Sequence, residues 1–446
     1  MSTSQTALNA KQSFHRAARI KDIKLTWVKL PLRPLVKKHL MRQNYHYSYS
    51  EICEVTLDCG IVGFGETMPF YTWGWVSDHS IQRAMGKNAI ECMWDDTLGP
   101  GLQQALFDAV GKLFGVPVHS LIGSPVRQDV PLSWWAIDMP GDEWAEECHT
   151  ALEHGYISMK VKGRPWYDPQ EQLQTIEKSV PSYFRISIDF NGTLLGTQRA
   201  VEILKNLSRF PHTDMFEEPM PAGIWDGYRE LVRCTWNPIV LHCRLRSRAK
   251  EDKLPILSAA QERICNGFVV SDGGATSLKT QAAVLAELGV PFWLQMLGSG
   301  VTASFLLHMA TTMTHAEWPS VTCHQLYDDE LIDPPLVVRD GKASVSDRAG
   351  LGVELNYEAV ERHRIEPIRA MPYPMPGQLV GVRWPSGGTS YYTHRAQYWQ
   401  DFSSGRLPSY VEGVRLDVIP NDGTKSWAEL QKKAVQGGVH LADSPI

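Results

Sequence analysis

Two lysines two residues apart, Lys160 and Lys162, close the short apolar run ISMKVK. Side chains alternate along a strand, so both project from one face. Asp189 stands 27 residues beyond Lys162, and Glu217 a further 28 on, near the ends of the runs RISIDF and DMFEEP. His242, followed by Cys243, ends the run PIVLHC. Such a set can do acid–base work. A divalent ion held by Asp189 and Glu217 can bind a substrate carboxylate and stabilise the charge that develops when the adjacent C–H proton is removed. A lysine beside a metal and a second lysine loses proton affinity and moves toward the range of a useful base. Lys162 is the expected base. Lys160 is the auxiliary that holds Lys162 neutral and offsets substrate charge. Taken singly, each residue has an ordinary explanation: a solvated strand edge for the lysines, a turn for Asp189 with Asn191, a loop for Glu217-Glu218-Pro219, a buried thiol for Cys243, a satisfied core imidazole for His242. Together, on consecutive units of similar length, they are far more specific.

Residues so spaced need a scaffold that brings strand ends to one place. Between about Pro131 and Leu297, seven short apolar runs alternate with amphipathic helical stretches such as TQRAVEILKNL and LKTQAAVLAELG. That period fits a (β/α) barrel, in which side chains at the C-terminal strand ends converge on one mouth. An open doubly wound sheet is the rival, although no GxGxxG follows the first run. Before the barrel, IKDIKLTWVKLPL, EICEVTLDCG and GIVGFGE alternate in the strand manner, with Gly60 and Gly63 read as turn signals. Helical spacing over 101–115 is ended by Gly115 and Pro117.

Composition narrows the function. Lys plus Arg is 44 against 49 Asp plus Glu, a net charge of −5. This argues against a general nucleic-acid binder, which needs a basic field. No stretch approaches the roughly 20 apolar residues of a membrane span, so no membrane partner is expected. The first twenty residues hold no apolar signal core, and the eight cysteines are scattered. A cytoplasmic location with reduced thiols is the expectation.

At these residues the sequence resembles the enolase superfamily, in particular its mandelate racemase/muconate-lactonizing branch, over roughly residues 20–360. MKVKG, IDFNG and FEEPMP resemble its Lys-x-Lys base motif and first two metal ligands. ALFDAVGKLFGVPVHSLIG resembles the helix leading into its barrel, and SGVTASFLLHMAT the eighth barrel unit. The resemblance implies a modified TIM (β/α) barrel with an N-terminal α+β capping domain completed by C-terminal residues. The organisation expected is a tail over 1–19, a cap over 20–128, a barrel over 129–332, a return into the cap over 333–364 and an extension over 365–446. It also implies Mg²⁺, abstraction of a proton alpha to a carboxylate in a small acid or sugar acid, and a homo-oligomer. In such a fold, cap loops 36–50 and 66–76 would meet the substrate. Lys38, Arg42, Tyr71 and Trp73, with Asn191 at the barrel rim, are the binding candidates; cap-to-barrel packing and surface charge are the ordinary alternative.

The departures also count. The family's third metal ligand is a carboxylate at the end of the fifth strand; here His242 and Cys243 fall there, and imidazole or thiolate favours a softer ion than Mg²⁺. The opposite-face acid/base is not evident: Phe268 or Val269 falls near the sixth-strand position, Asp272 fits only with a shifted register, and the seventh strand offers Gln295. One-base chemistry by Lys162, as a lyase or isomerase, follows more naturally than two-base racemisation. The alternative is a catalytically impaired relative that binds a small acid or acts as a scaffold.

Overall fold

The structure is a computed structural model describing residues 16–71, 74–242, 255–271, 273–370 and 378–442. Trp73, Cys243 and Asp272 lie outside the described residues.

The first three apolar runs form an antiparallel sheet of β1 (Ile20–Lys29), β2 (Tyr49–Leu57) and β3 (Val62–Thr67). Gly60, with φ of +87°, makes the β2–β3 turn. Gly63 does not turn the chain. It lies inside β3, where a Cβ would come within 2.3 Å of the Ala105 carbonyl oxygen; at Gly65 a Cβ would come within 2.2 Å of the Gly101 carbonyl oxygen. These glycines let the helix Pro100–Phe114 lie directly against the sheet. Gly115, left-handed at φ +67°, caps that helix. The short strand Arg364–Ile365 returns to pair with β1 at Trp27 and Val28.

Seven further strands follow: β4 (Trp134–Ala136), β5 (Ser158–Lys162), β6 (Arg185–Asp189), β7 (Thr213–Glu217), β8 (Ile239–His242), β9 (Gly267–Val270) and β10 (Phe292–Leu294). They lie in one sheet in strict chain order, and β4 to β8 pair in parallel. A doubly wound sheet reverses direction at a switch point. This order never reverses, so the (β/α)-barrel reading holds and the open-sheet rival falls. Interior strands of this kind are covered on both faces, hence their near-continuous burial.

The described chain divides into two compact units. One gathers the described residues within 16–32, 46–132 and 269–369. In it Glu66 accepts from the Ser299 backbone N–H at 2.8 Å and from its hydroxyl, at the start of the helix Gly300–Ala310. The other gathers the described residues within 33–45, 133–268 and 370–442. It carries β4 to β8 with their helices, and it includes the C-terminal residues.

Those C-terminal residues, irregular to the eye in sequence, form a second ordered sheet. It comprises β11 (Gln378–Arg383), β12 (Thr389–Tyr392), β13 (Arg415–Pro420) and β14 (Val439–Leu441), all antiparallel. Its two faces are set by strict alternation. Val380, Val382 and Tyr392 pack with Trp166 and Tyr167 of the barrel half. Leu379 and Tyr391 pack with Trp427 and Leu430 of the helix Lys425–Ala434. Trp166 is completely buried, and truncating so large a buried ring typically costs about 3–5 kcal/mol.

Candidate active site

Parallel pairing aligns the chemistry-bearing residues. Lys162 registers with Asp189, and Asp189 with Glu217. Glu217 registers with Val240, and His242 follows two residues later on the same face. Lys160, Lys162, Asp189, Glu217 and His242 therefore meet at the C-terminal ends of β5 to β8. Lys162 forms an ion pair with Asp189. Lys160 forms one with Glu217 and stands 3.8 Å from Asp189. His242 Nε2 lies 3.0 Å from Glu217 Oε1. Lys160, Asp189 and Glu217 are almost wholly buried, whereas 15% of the Lys162 side chain stays exposed. Lys162 is thus the cation of the pair that a ligand can reach.

Asn191 joins this cluster. Its backbone N–H donates to Asp189 Oδ1 at 2.9 Å, and its Oδ1 accepts from Lys162 Nζ at 3.2 Å. The same oxygen accepts from Arg164 at 2.8 Å. Arg164 was not singled out from the sequence; the one signal available was its place two residues beyond Lys162. Fully charged, Lys160, Lys162 and Arg164 outnumber Asp189 and Glu217, leaving a positive residue that suits an anionic ligand.

Burial pushes the Lys162 ammonium below its ordinary pKa, and the charges of Lys160 and Arg164 push the same way, while Asp189 and Glu217 oppose them. Burial alone would raise the Asp189 carboxyl, but Lys162, Lys160 and Arg164 together hold it well below the usual carboxylate range.

Two carboxylates and an imidazole are donor types that suit a divalent ion. Among the described residues, however, no three or more His, Cys, Asp or Glu side chains come together as a metal-holding group. Lysine ammonium groups sit on both carboxylates instead.

The cap-loop candidates fare differently. Arg42 is buried within its own unit. Its fully buried guanidinium pairs with Asp138 at 2.7 Å and donates to Tyr398 at 3.1 Å. An ion so committed and so desolvated has a structural role. Lys38 lies on the helix Pro34–Leu40, paired at 2.6 Å with Glu143. Its side chain is 45% exposed. Tyr71 is exposed and packs edge-on against Tyr47. Trp73 lies outside the described residues.

Residues 143–360 match the family model described as enolase C-terminal domain-like. Among curated proteins, the chain is 26% identical over 269 residues to an N-succinylamino acid racemase of Thermus thermophilus, covering 58% of this chain and 69% of that protein. It is 23% identical over 375 residues to an N-succinyl-L-Arg/Lys racemase of Bacillus cereus, covering 77% and 97%. Among solved structures, muconate cycloisomerase from Pseudomonas fluorescens superposes with a TM-score of 0.64 at 21% identity, covering 78% of this chain and 100% of that one. At that identity the superposition speaks for the fold alone.

Proposed function

This chain is a member of the enolase superfamily, with residues 143–360 forming its enolase C-terminal domain-like domain, and on that premise we propose that it removes a proton alpha to the carboxylate of a small acid or sugar acid. The observation that carries the reading is the placement of Lys162: partly exposed, held between Asp189 and Asn191, and pushed toward neutrality by burial and by Lys160. The neutral Lys162 amine takes the proton as the C–H bond breaks. The electron pair passes into the adjacent carboxylate, where Lys160 and Arg164 lower its energy by their charge. As a β-leaving group departs, or a new bond closes at the far carbon, the pair forms the product double bond or ring. The Lys162 ammonium returns its proton to the leaving group or to the product. One base therefore serves a lyase or an isomerase.

For Asp189 and Glu217 to hold a divalent ion, with His242 as the third donor, the Lys160 and Lys162 ammonium groups would have to leave those carboxylates; a bound ion would then add positive charge beside the substrate carboxylate. Magnesium is the family's usual choice, and the imidazole favours a softer ion. Every step above uses only side chains of this chain.

The lysine-paired carboxylates favour a second reading, a relative that binds small acids without turning them over. Proton NMR in D₂O separates the two. N-succinylamino acids, taken from the names of the relatives, and a panel of sugar acids are incubated with the chain and with Lys162→Ala. Loss of the α-proton signal with the wild type but not the variant supports catalysis. Saturable binding with no exchange across the panel supports the binding protein.

A further inference from the structure

The mouth of the barrel half has a wall that the (β/α) units do not supply. A cavity of about 190 Å³ lies between the segment after β5, the loop after β6 and the C-terminal residues. Its apolar lining includes Trp166 and Leu195 from the barrel half and Trp399 and Phe402 from the helix Arg395–Ser403. Asn191 and Ser403 are among its polar members. An apolar cavity of about 150 Å³ is enough to take one benzene ring.

Three observations tie this cavity to the reacting centre. Asn191 lines it and accepts from Lys162 Nζ at 3.2 Å. The Arg164 guanidinium, bonded to the same Asn191 oxygen, lies over the Trp399 ring at 5.5 Å. The C-terminal module is also fastened at this place, since Tyr410 N–H donates to the Pro165 carbonyl at 2.8 Å and its hydroxyl bonds Thr193. Asn191, Leu195 and Tyr410, three of the non-glycine residues with left-handed backbone, all lie here. Left-handed conformations of this kind concentrate where a fold holds a ligand site in shape.

We propose that this cavity is a substituent pocket, built jointly by the barrel half and the C-terminal module, that receives an aromatic or compact apolar group of the acid whose α-carbon meets Lys162. The C-terminal module then selects substrates. The proposal rests on the proton-abstraction reading only for the fate of the acid's other end; binding of the ring stands by itself.

The test uses the full chain and two probes that differ by one ring, propanoate and 3-(4-fluorophenyl)propanoate. The fluorinated acid is titrated by ¹⁹F NMR, and propanoate by proton line broadening. Ser403→Phe, at an exposed position on the rim, fills the cavity; Trp399→Ala removes a wall. Circular dichroism checks that both variants are folded. The expected result is about tenfold weaker binding of the fluorophenyl acid in each variant, with propanoate affinity unchanged. No saturable binding of the fluorophenyl acid to the wild type, or equal change for both probes in both variants, overturns the pocket. Deuterium exchange at the α-carbon is read in parallel. Ring selectivity without exchange keeps the pocket and removes the catalytic reading; exchange that ignores both substitutions keeps the catalysis and removes the pocket.

Discussion

Lys162 and Asp189 face one another across adjacent parallel strands and close an ion pair at the ends of β5 and β6. The pair holds the amine in place, and burial with two neighbouring cations erodes its hold on the proton. Lys162→Ala is expected to cut exchange or turnover about 10²–10⁴-fold, the usual span for a positioned base. Lys162→Arg should be as poor, because guanidinium stays protonated. Steady-state rates on any acid found to exchange decide it; an arginine variant with wild-type rate would remove Lys162 from the chemistry.

Asp189 is expected to govern metal content. Elemental mass spectrometry of chain purified without chelator should find an ion that is lost on Asp189→Ala. With His242 as third donor, zinc or iron should exceed magnesium. Equal content in the wild type and the variant would detach Asp189 from metal binding.

Arg42→Met should destabilise the chain by about 3–5 kcal/mol, because it strands the buried Asp138 carboxylate without its cation. Gln43 and Trp166 still donate to that carboxylate, which argues for the lower end of the range. Urea unfolding measures it. A loss below about 1 kcal/mol, accompanied by weaker acid binding, would return Arg42 to the ligand contacts.

Glu330 supplies the pH dependence. Burial, then the charges of Glu66 and Asp329, push its carboxyl up to about 7. The folded state therefore holds this proton more tightly than the unfolded chain, whose carboxyl titrates near about 4.3. Stability from this residue is present below that lower value and is lost as pH rises toward 7. Glu330→Gln should raise stability at pH 8 by about 2 kcal/mol and change little at pH 4. Thermal unfolding at the two values checks the sign; an equal shift at both would mean that Glu330 does not titrate in this window.

Lys160, Lys162, Asp189 and Glu217 were legible in the amino-acid order because strand alternation and a repeat of 27 and 28 residues are one-dimensional facts. The in-order barrel sheet follows from that same period. Trp134 and Trp135 mark the limit of such reading. Alternation says that only one faces the interior, but not which. The structure gives Trp134 an indole bond to Glu147 on the neighbouring helix, while Trp135 registers with Lys160, so Trp135 is the inward residue. Arg42 stands among the ligand-binding candidates because sequence records its charge and not its burial beside Asp138, 96 residues away. Gly63 looked like a turn because sequence cannot show a helix backbone pressed against a strand. Trp399 and Tyr410 carry no motif at all. Their approach to Asn191 and Thr193 depends on a second sheet folding back over more than 200 residues of chain. Local periodicity fixes which residues share a face; which faces meet, and what lies buried between them, is decided by long-range packing.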